Sequence, residues 1–253
     1  MKLLAFDTST DGMSIAVSRD DGAATGLWQQ QGEGGAKASA GLIAGVLELM
    51  RQSGMELREL DAICFGCGPG SFTGLRTACA VAQGLAFGAG VAVLPVNSLL
   101  AVAEAARHSG LPQLASAQVT ALLDARMDEI YCATFQYADA LWTELQGAHL
   151  LRPEALTLPA SALPQVAAGN VFAIYGARLT GLPAQALRLD ALPLATALLR
   201  LAPQLLAQGL AVSAEQALPT YIRDKVAQTT AERAAIKAAA ERAAIDAARA
   251  AAP

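Results

Sequence analysis

The stretch LLAFDTSTDGMSIAVS, Leu3 to Ser18, decides how the rest of the chain is read. Leu3 to Phe6 is a short apolar run that ends at Asp7. The turn formers Thr8, Ser9, Thr10, Asp11 and Gly12 follow, and Met13 to Ser18 resumes with Ser14 and Ser18 flanking Ile15, Ala16 and Val17. Two strand-length runs around such a turn predict a β-hairpin whose bend gathers hydroxyls and a carboxylate. After a second turn at Asp20 to Gly22, Thr25 to Gln29 supplies a third strand, and Gly32 to Gly35 separates it from a helical pattern. Three antiparallel strands therefore precede the first helix.

From Ala36 to Gln52, Leu42, Val46 and Leu49 form one apolar stripe and Ile43, Leu47 and Met50 an adjacent one. Together they span about 160° of arc at 100° per residue, wide enough for one helix to serve both a core and a partner. Ala62 to Gly66 reads as a buried strand, Ser71 to Gly88 as a helix rich in small residues, Val91 to Val96 as a strand and Ser98 to Arg107 as a helix. The order is βββαβαβα, an α/β class with a mixed sheet flanked by helices. A second copy begins near Gln118, where Val119 to Leu123 ends in Asp124 as Leu3 to Phe6 ends in Asp7, and Ile130 to Tyr137 follows as its second strand. A Pro- and Ala-rich stretch (153–165), a short strand at Phe172 to Tyr175 and a helix over Leu192 to Gln208 complete the pattern. The division expected is an N-terminal lobe over 1–108, a C-terminal lobe over 109–228 and an Ala-rich tail over 229–253. In that tail AERAAIKAA is followed by AERAAIDAA, which sets Ile236 and Ile245 on opposite sides of a helix and predicts an exposed, fraying one.

The composition narrows the function classes. A net charge of -4, with 18 Lys and Arg scattered along the chain, is not the footprint of a protein that grips phosphates by itself, so any nucleic acid would be held mainly by a partner. No apolar run reaches the roughly 18 residues of a membrane span, and Asp7 interrupts any leader-like core, which predicts a soluble, cytoplasmic protein. Its only histidines, His108 and His149, fit no metal-ligand spacing. Cys64 and Cys67 form a CxxC without a second pair, and reduced, buried thiols are expected at all four cysteines. No GxSxG elbow is present.

CGPGSFTGLR, Cys67 to Arg76, lies between a buried strand and a helix. Gly68 and Gly70 permit tight backbone turns, and Ser71 can cap the helix that carries Thr73. Such a turn could receive an anion or a nucleotide phosphate, or it could simply turn a strand into a helix; no Walker lysine follows. The hairpin DTST (Asp7 to Thr10) has the shape of a phosphate loop. Its counterpart, Asp124 to Asp128, has no glycine to let backbone amides close on a phosphate.

LLAFDTST at the N-terminus, GPGSFTGLRTACAVAQGLA from Gly68, LLDARMDEIY from Leu122 and PTYIRDKVA from Pro219 together resemble the TsaB (YeaZ) family, four blocks in order over residues 1 to about 227. The resemblance implies two ribonuclease-H-like lobes of the actin-like ATPase superfamily. It implies a non-catalytic subunit that binds and activates a TsaD paralogue, with the ATPase TsaE, for threonylcarbamoyl transfer to adenosine 37 of ANN-decoding tRNAs. No cofactor is implied for this chain alone; ATP and a metal ion would be used by the partner subunits. Where the paralogue carries a metal-binding HxxxH, this chain reads Pro95, Val96, Asn97, Ser98, Leu99, Leu100, Ala101. The resemblance places the partner surface, and a homodimer when the chain is alone, on the helices Ala36 to Gln52 and Ser71 to Gly88, with Leu42, Val46, Leu49, Phe72, Leu75 and Arg76 as contacts. A histidine that many members carry at the start of the first helix is missing from Gly35, Ala36, Lys37, Ala38, Ser39, and the tail after Gln228 lies beyond the family pattern. Two rivals remain: an autonomous actin-like ATPase or kinase, and a metallopeptidase.

Overall fold

Strand β1 (Lys2–Asp7) pairs antiparallel with β2 (Gly12–Asp20), Asp7 facing Ser14 at the bend, and β2 pairs antiparallel with β3 (Thr25–Glu33). These relationships come from a computed structural model that describes residues 1–22, 24–34, 38–111 and 113–223. On its other side β1 pairs in parallel with β4 (Ala62–Gly68), and β4 with β5 (Ala92–Asn97), giving the order β3-β2-β1-β4-β5. The strand period of two splits β1 between two cores. Leu4 and Phe6 pack with Leu42, Val46, Ile63, Phe65 and Ala78 under helices α1 (Ala38–Ser53) and α2 (Phe72–Ala89), whereas Leu3 and Ala5 face the opposite layer.

Helix α3 (Ser98–Gly110) leads into a second sheet of β6 (Ala117–Asp124), β7 (Ile130–Ala138), β8 (Leu141–Leu151), β9 (Gln165–Gly169) and β10 (Leu187–Asp190). Its order, β10-β9-β6-β7-β8, is that of the first sheet, with antiparallel pairing among the first three strands and parallel pairing of the last two. The repeat expected from Asp7 and Asp124 is thus a repeat of topology. Three features depart from the pattern. Leu141–Leu151 is a long edge strand where the sequence pattern assigned no element. Phe172–Tyr175 is not a strand but a single helical turn, α4, stopped by Gly176. Third, α5 (Ala195–Ala207) packs on β1, β2, β4 and β5 of the first sheet, and Val212 bridges to Val93, so residues 195–217 return to the N-terminal half instead of completing the C-terminal one.

Helices α3 and α5 fill the space between the sheets. Every side chain from Ser98 to Ala106 is buried, and one core runs from Leu3, Cys64 and Val96 through Leu99, Val102, Leu198 and Leu201 to Val119, Ala121 and Phe135. Its one acidic member, Glu104, accepts bonds from Arg107 and Arg200 and from the indole of Trp142. Among the described residues no helix is long and apolar enough to cross a membrane. The expectations for Gly35, Ala36 and Lys37 and for the tail 229–253 fall outside the described residues.

Candidate functional site

The bend of the first hairpin is where an actin-like protein would hold phosphate, and here its polar groups are spent on the protein. Asp7 is 1% exposed; Oδ1 accepts from the Ser9 amide (2.7 Å) and Ser9 Oγ (2.6 Å), and Oδ2 from Ser98 Oγ (2.9 Å). Burial still raises its carboxyl above the ordinary value, against the pull of the Ser9 and Ser98 bonds. A β-carbon at residue 66 would collide with Asp7 Oδ2, so only glycine fits beneath the carboxylate.

The glycine-rich turn closes on this bend. Ser71 donates its amide to Ser9 O (2.7 Å), Thr8 Oγ1 donates to Gly74 O (2.8 Å), and Ser71 Oγ caps α2 through the Gly74 amide. Side chains at Gly70 or Gly74 would strike Ser9 and Thr8. Gly68, at φ 118°, sits where a β-carbon would lie 2.6 Å from Thr220 O, and the Thr220 amide bonds to Cys67 O. Gly68, Gly70 and Ser71 are therefore used in close packing of three segments; Thr73 is exposed on α2 and its carbonyl accepts from Thr77.

At the second hairpin Asp124 Oδ1 accepts from Tyr175 Oη (2.7 Å) and from the Arg126 amide (2.9 Å). Arg126, Met127 and Asp128 are left-handed, with φ near 60°. One Arg126 Nη lies 2.7 and 2.8 Å from the two carboxylate oxygens of Asp11, so an ion pair joins the bends where a phosphate would bridge them. The pair is exposed and adds little stability; its consequence is that positive charge in the cleft already has an internal anion.

The stretch Pro95 to Ala101 serves the fold. Asn97 caps α3 by accepting from the Leu99 and Leu100 amides, and Ser98 holds Asp7. Among the described residues no three His, Cys, Asp or Glu side chains gather to hold a metal ion. All four cysteines are buried and free, and burial pushes Cys64 up to about 12 and Cys67 to about 11, which keeps both as thiols at neutral pH.

The two outer helices present a different surface from the one expected. Leu42, Val46, Leu49 and Leu75 are at most 3% exposed and belong to the core, which corrects their assignment as partner contacts. The exposed side of α1 carries Ile43 (47%) and Leu47 (53%), and that of α2 carries Arg76 and Phe87 (75%), with Phe72 half-buried beside them. Of the second apolar stripe Ile43 and Leu47 face outward, whereas Met50 joins Leu42, Val46 and Leu49 in the core. The signal lay in the glycines: a side chain at Gly45 would come within 2.5 Å of Ile15 Cδ1, so Gly41 and Gly45 mark the sheet-facing side that Leu42, Val46 and Leu49 flank.

A family model described as TsaD, tRNA N6-adenosine threonylcarbamoyltransferase, matches residues 37–250. The tRNA threonylcarbamoyladenosine biosynthesis protein TsaB of Escherichia coli (strain K12) is 31% identical over 233 residues, 90% of this chain and 96% of that protein. The chain belongs to the TsaB family. The TsaB protein of Haemophilus influenzae is 40% identical over 131 residues, 52% of each chain. YeaZ from Pseudomonas aeruginosa, a solved structure, is 36% identical, covers 87% of this chain and 99% of its own, and superposes with a TM-score of 0.76. The two mixed sheets flanked by helices are thus the fold that this chain shares with the solved YeaZ structure.

Proposed function

We propose that this chain acts in the biosynthesis of threonylcarbamoyladenosine in tRNA as a non-catalytic subunit that binds a TsaD paralogue and, with the ATPase TsaE, activates it. The near full-length match to the Escherichia coli TsaB protein carries this reading. The geometry supports it from two sides. The groups that would receive a nucleotide in an autonomous ATPase are bonded to Ser9, Ser98, Thr220 and Asp11, and Asn97 and Ser98 cap and brace where a metal-binding paralogue has imidazoles. Meanwhile Ile43, Leu47 and Phe87 stand exposed on the two outer helices. A large apolar side chain three-quarters exposed on a rigid helix suits an interface. The same face would pair two copies when the chain is alone and exchange for the paralogue in the complex. ATP and metal chemistry then belong to the partners, and tRNA is contacted through them.

The test is threonylcarbamoyl transfer to an ANN-decoding tRNA with TsaD, TsaE, ATP and the preformed threonylcarbamoyl-adenylate, with this chain present, omitted, or carrying Ile43→Glu and Leu47→Glu. Product should require the chain and be lost with the double variant. Full product without the chain would overturn the reading and return the actin-like ATPase as the better one.

A further inference from the structure

We infer that the C-terminal strap Ala214 to Tyr221 is part of the partner-binding surface, with Leu218 and Tyr221 as its anchors and the TsaD-type subunit as its occupant. This rests on the partner reading above and adds to it a segment outside the two helices. The strap and the residue that leads into it, Val212, are pinned at successive points on β5, α2 and β4. Val212 exchanges backbone bonds with Val93 (2.9 and 2.8 Å), Ala217 O accepts from Cys79 Sγ (3.3 Å) and Gln83 Nε2 (2.9 Å), and the Thr220 amide donates to Cys67 O (2.7 Å). Tyr221 ends the path: its ring lies 5.4 Å from that of Phe72, its hydroxyl accepts from Arg76 Nε (3.0 Å), and the Arg76 guanidinium stacks 3.8 Å above the Phe72 ring.

Ala217 is fully buried at the root of this path, yet Leu218 is 66% and Tyr221 46% exposed. A segment tied down at this many points loses little further entropy when it is covered, which is the condition under which exposed apolar groups bind well. Tyr and Arg in a pre-formed stack are also the residue types that dominate interface energetics. The stack sits on α2, the helix whose exposed side carries Phe87, so a partner lying along that helix would reach it. A protein occupant is favoured over RNA. The chain carries a net charge of -4, Leu218 is aliphatic, and the one guanidinium of the stack already serves Tyr221 and Phe72.

The experiment titrates purified TsaD into the full chain by calorimetry, comparing wild type, Leu218→Ser, Tyr221→Ala, Tyr221→Phe and the Ile43→Glu, Leu47→Glu double variant, with a thermal melt of each. Leu218→Ser and Tyr221→Ala should each weaken binding by about tenfold while melting like wild type, and Tyr221→Phe, which keeps the ring, by less than about threefold. Wild-type affinity in both strap variants, with binding lost in the helix double variant, would overturn the strap and leave the helical reading standing. Wild-type affinity in all variants would overturn both. Normal TsaD binding with reduced retention of tRNA by the assembled complex would make the strap an RNA surface and overturn the inference.

Discussion

Asp7 and Ser98 are joined by a 2.9 Å hydrogen bond between Oδ2 and Oγ, tying the end of the first strand to the start of the central helix. Because burial raises the Asp7 carboxyl, the folded protein holds that proton more tightly than the unfolded chain does. Wild-type stability is therefore lost as pH rises from the ordinary carboxylate range through the folded value, and is level above it. Asp7→Asn has no such loss. It should melt higher than wild type at pH 7, the gap should shrink on acidification, and in the proposed non-catalytic role support of threonylcarbamoyl transfer should stay within about twofold. Loss of transfer by a well-folded Asp7→Asn chain would argue for a phosphate-loop role.

Glu104 has the opposite sign. Burial disfavours its charge, but Arg107, Arg200 and Trp142 outweigh burial and hold the carboxyl below its usual value. Its contribution is present above the unfolded glutamate pKa and lost as pH falls through the folded one. Glu104→Gln should cost about 3 kcal/mol at neutral pH, because two arginines lose their counter-ion in a mostly buried site. The difference between the melts of variant and wild type should narrow in acid.

The buried and exposed apolar residues of α1 and α2 separate by stability. Leu42→Glu and Leu75→Glu place a charge in a closed core and should leave little folded protein by circular dichroism. Ile43→Glu and Leu47→Glu should change the melting temperature by less than about 2 °C while abolishing the proposed partner contact.

Gly84 gives a sharper separation. A β-carbon there meets nothing within 4 Å, and the position is mid-helix. Gly84→Ala should stabilise the isolated chain by about 1 kcal/mol through helix propensity. If the proposed TsaD contact uses this face of α2, the same methyl should weaken it, so a higher melting temperature with lower affinity is the expected pair of readings.

What the sequence showed depended on how local the determining physics was. The hairpin around Asp7, the order βββαβαβα and the second start at Asp124 were legible because each follows from alternation and turn chemistry within about ten residues. β8 was not: Trp142 turns inward while Leu141 and Leu145 stay exposed, so this edge strand has no clean apolar face to read. Phe172–Tyr175 looked like a strand as four apolar residues in a row, but Val171 is already helical and Tyr175 is fixed by its bond to Asp124, a contact from far along the chain. At the candidate site the glycines of GPGSFTG left open either an anion-receiving turn or a plain strand-to-helix turn, and the packing of Ser9, Thr8 and Thr220 against them was not legible. Only the tertiary approach of those segments reveals it.

The burial of α3 between the sheets also sets the grain of the molecule's motions. Amides exchange with solvent by the least costly opening that frees them. For the run from Ser98 to Ala106, covered on both sides by a core shared between the two halves, no partial opening exposes the helix without parting one sheet from the other. Its amides should be the last in the chain to exchange, at the rate of global unfolding. On this expectation the two halves move as one unit until the whole fold opens.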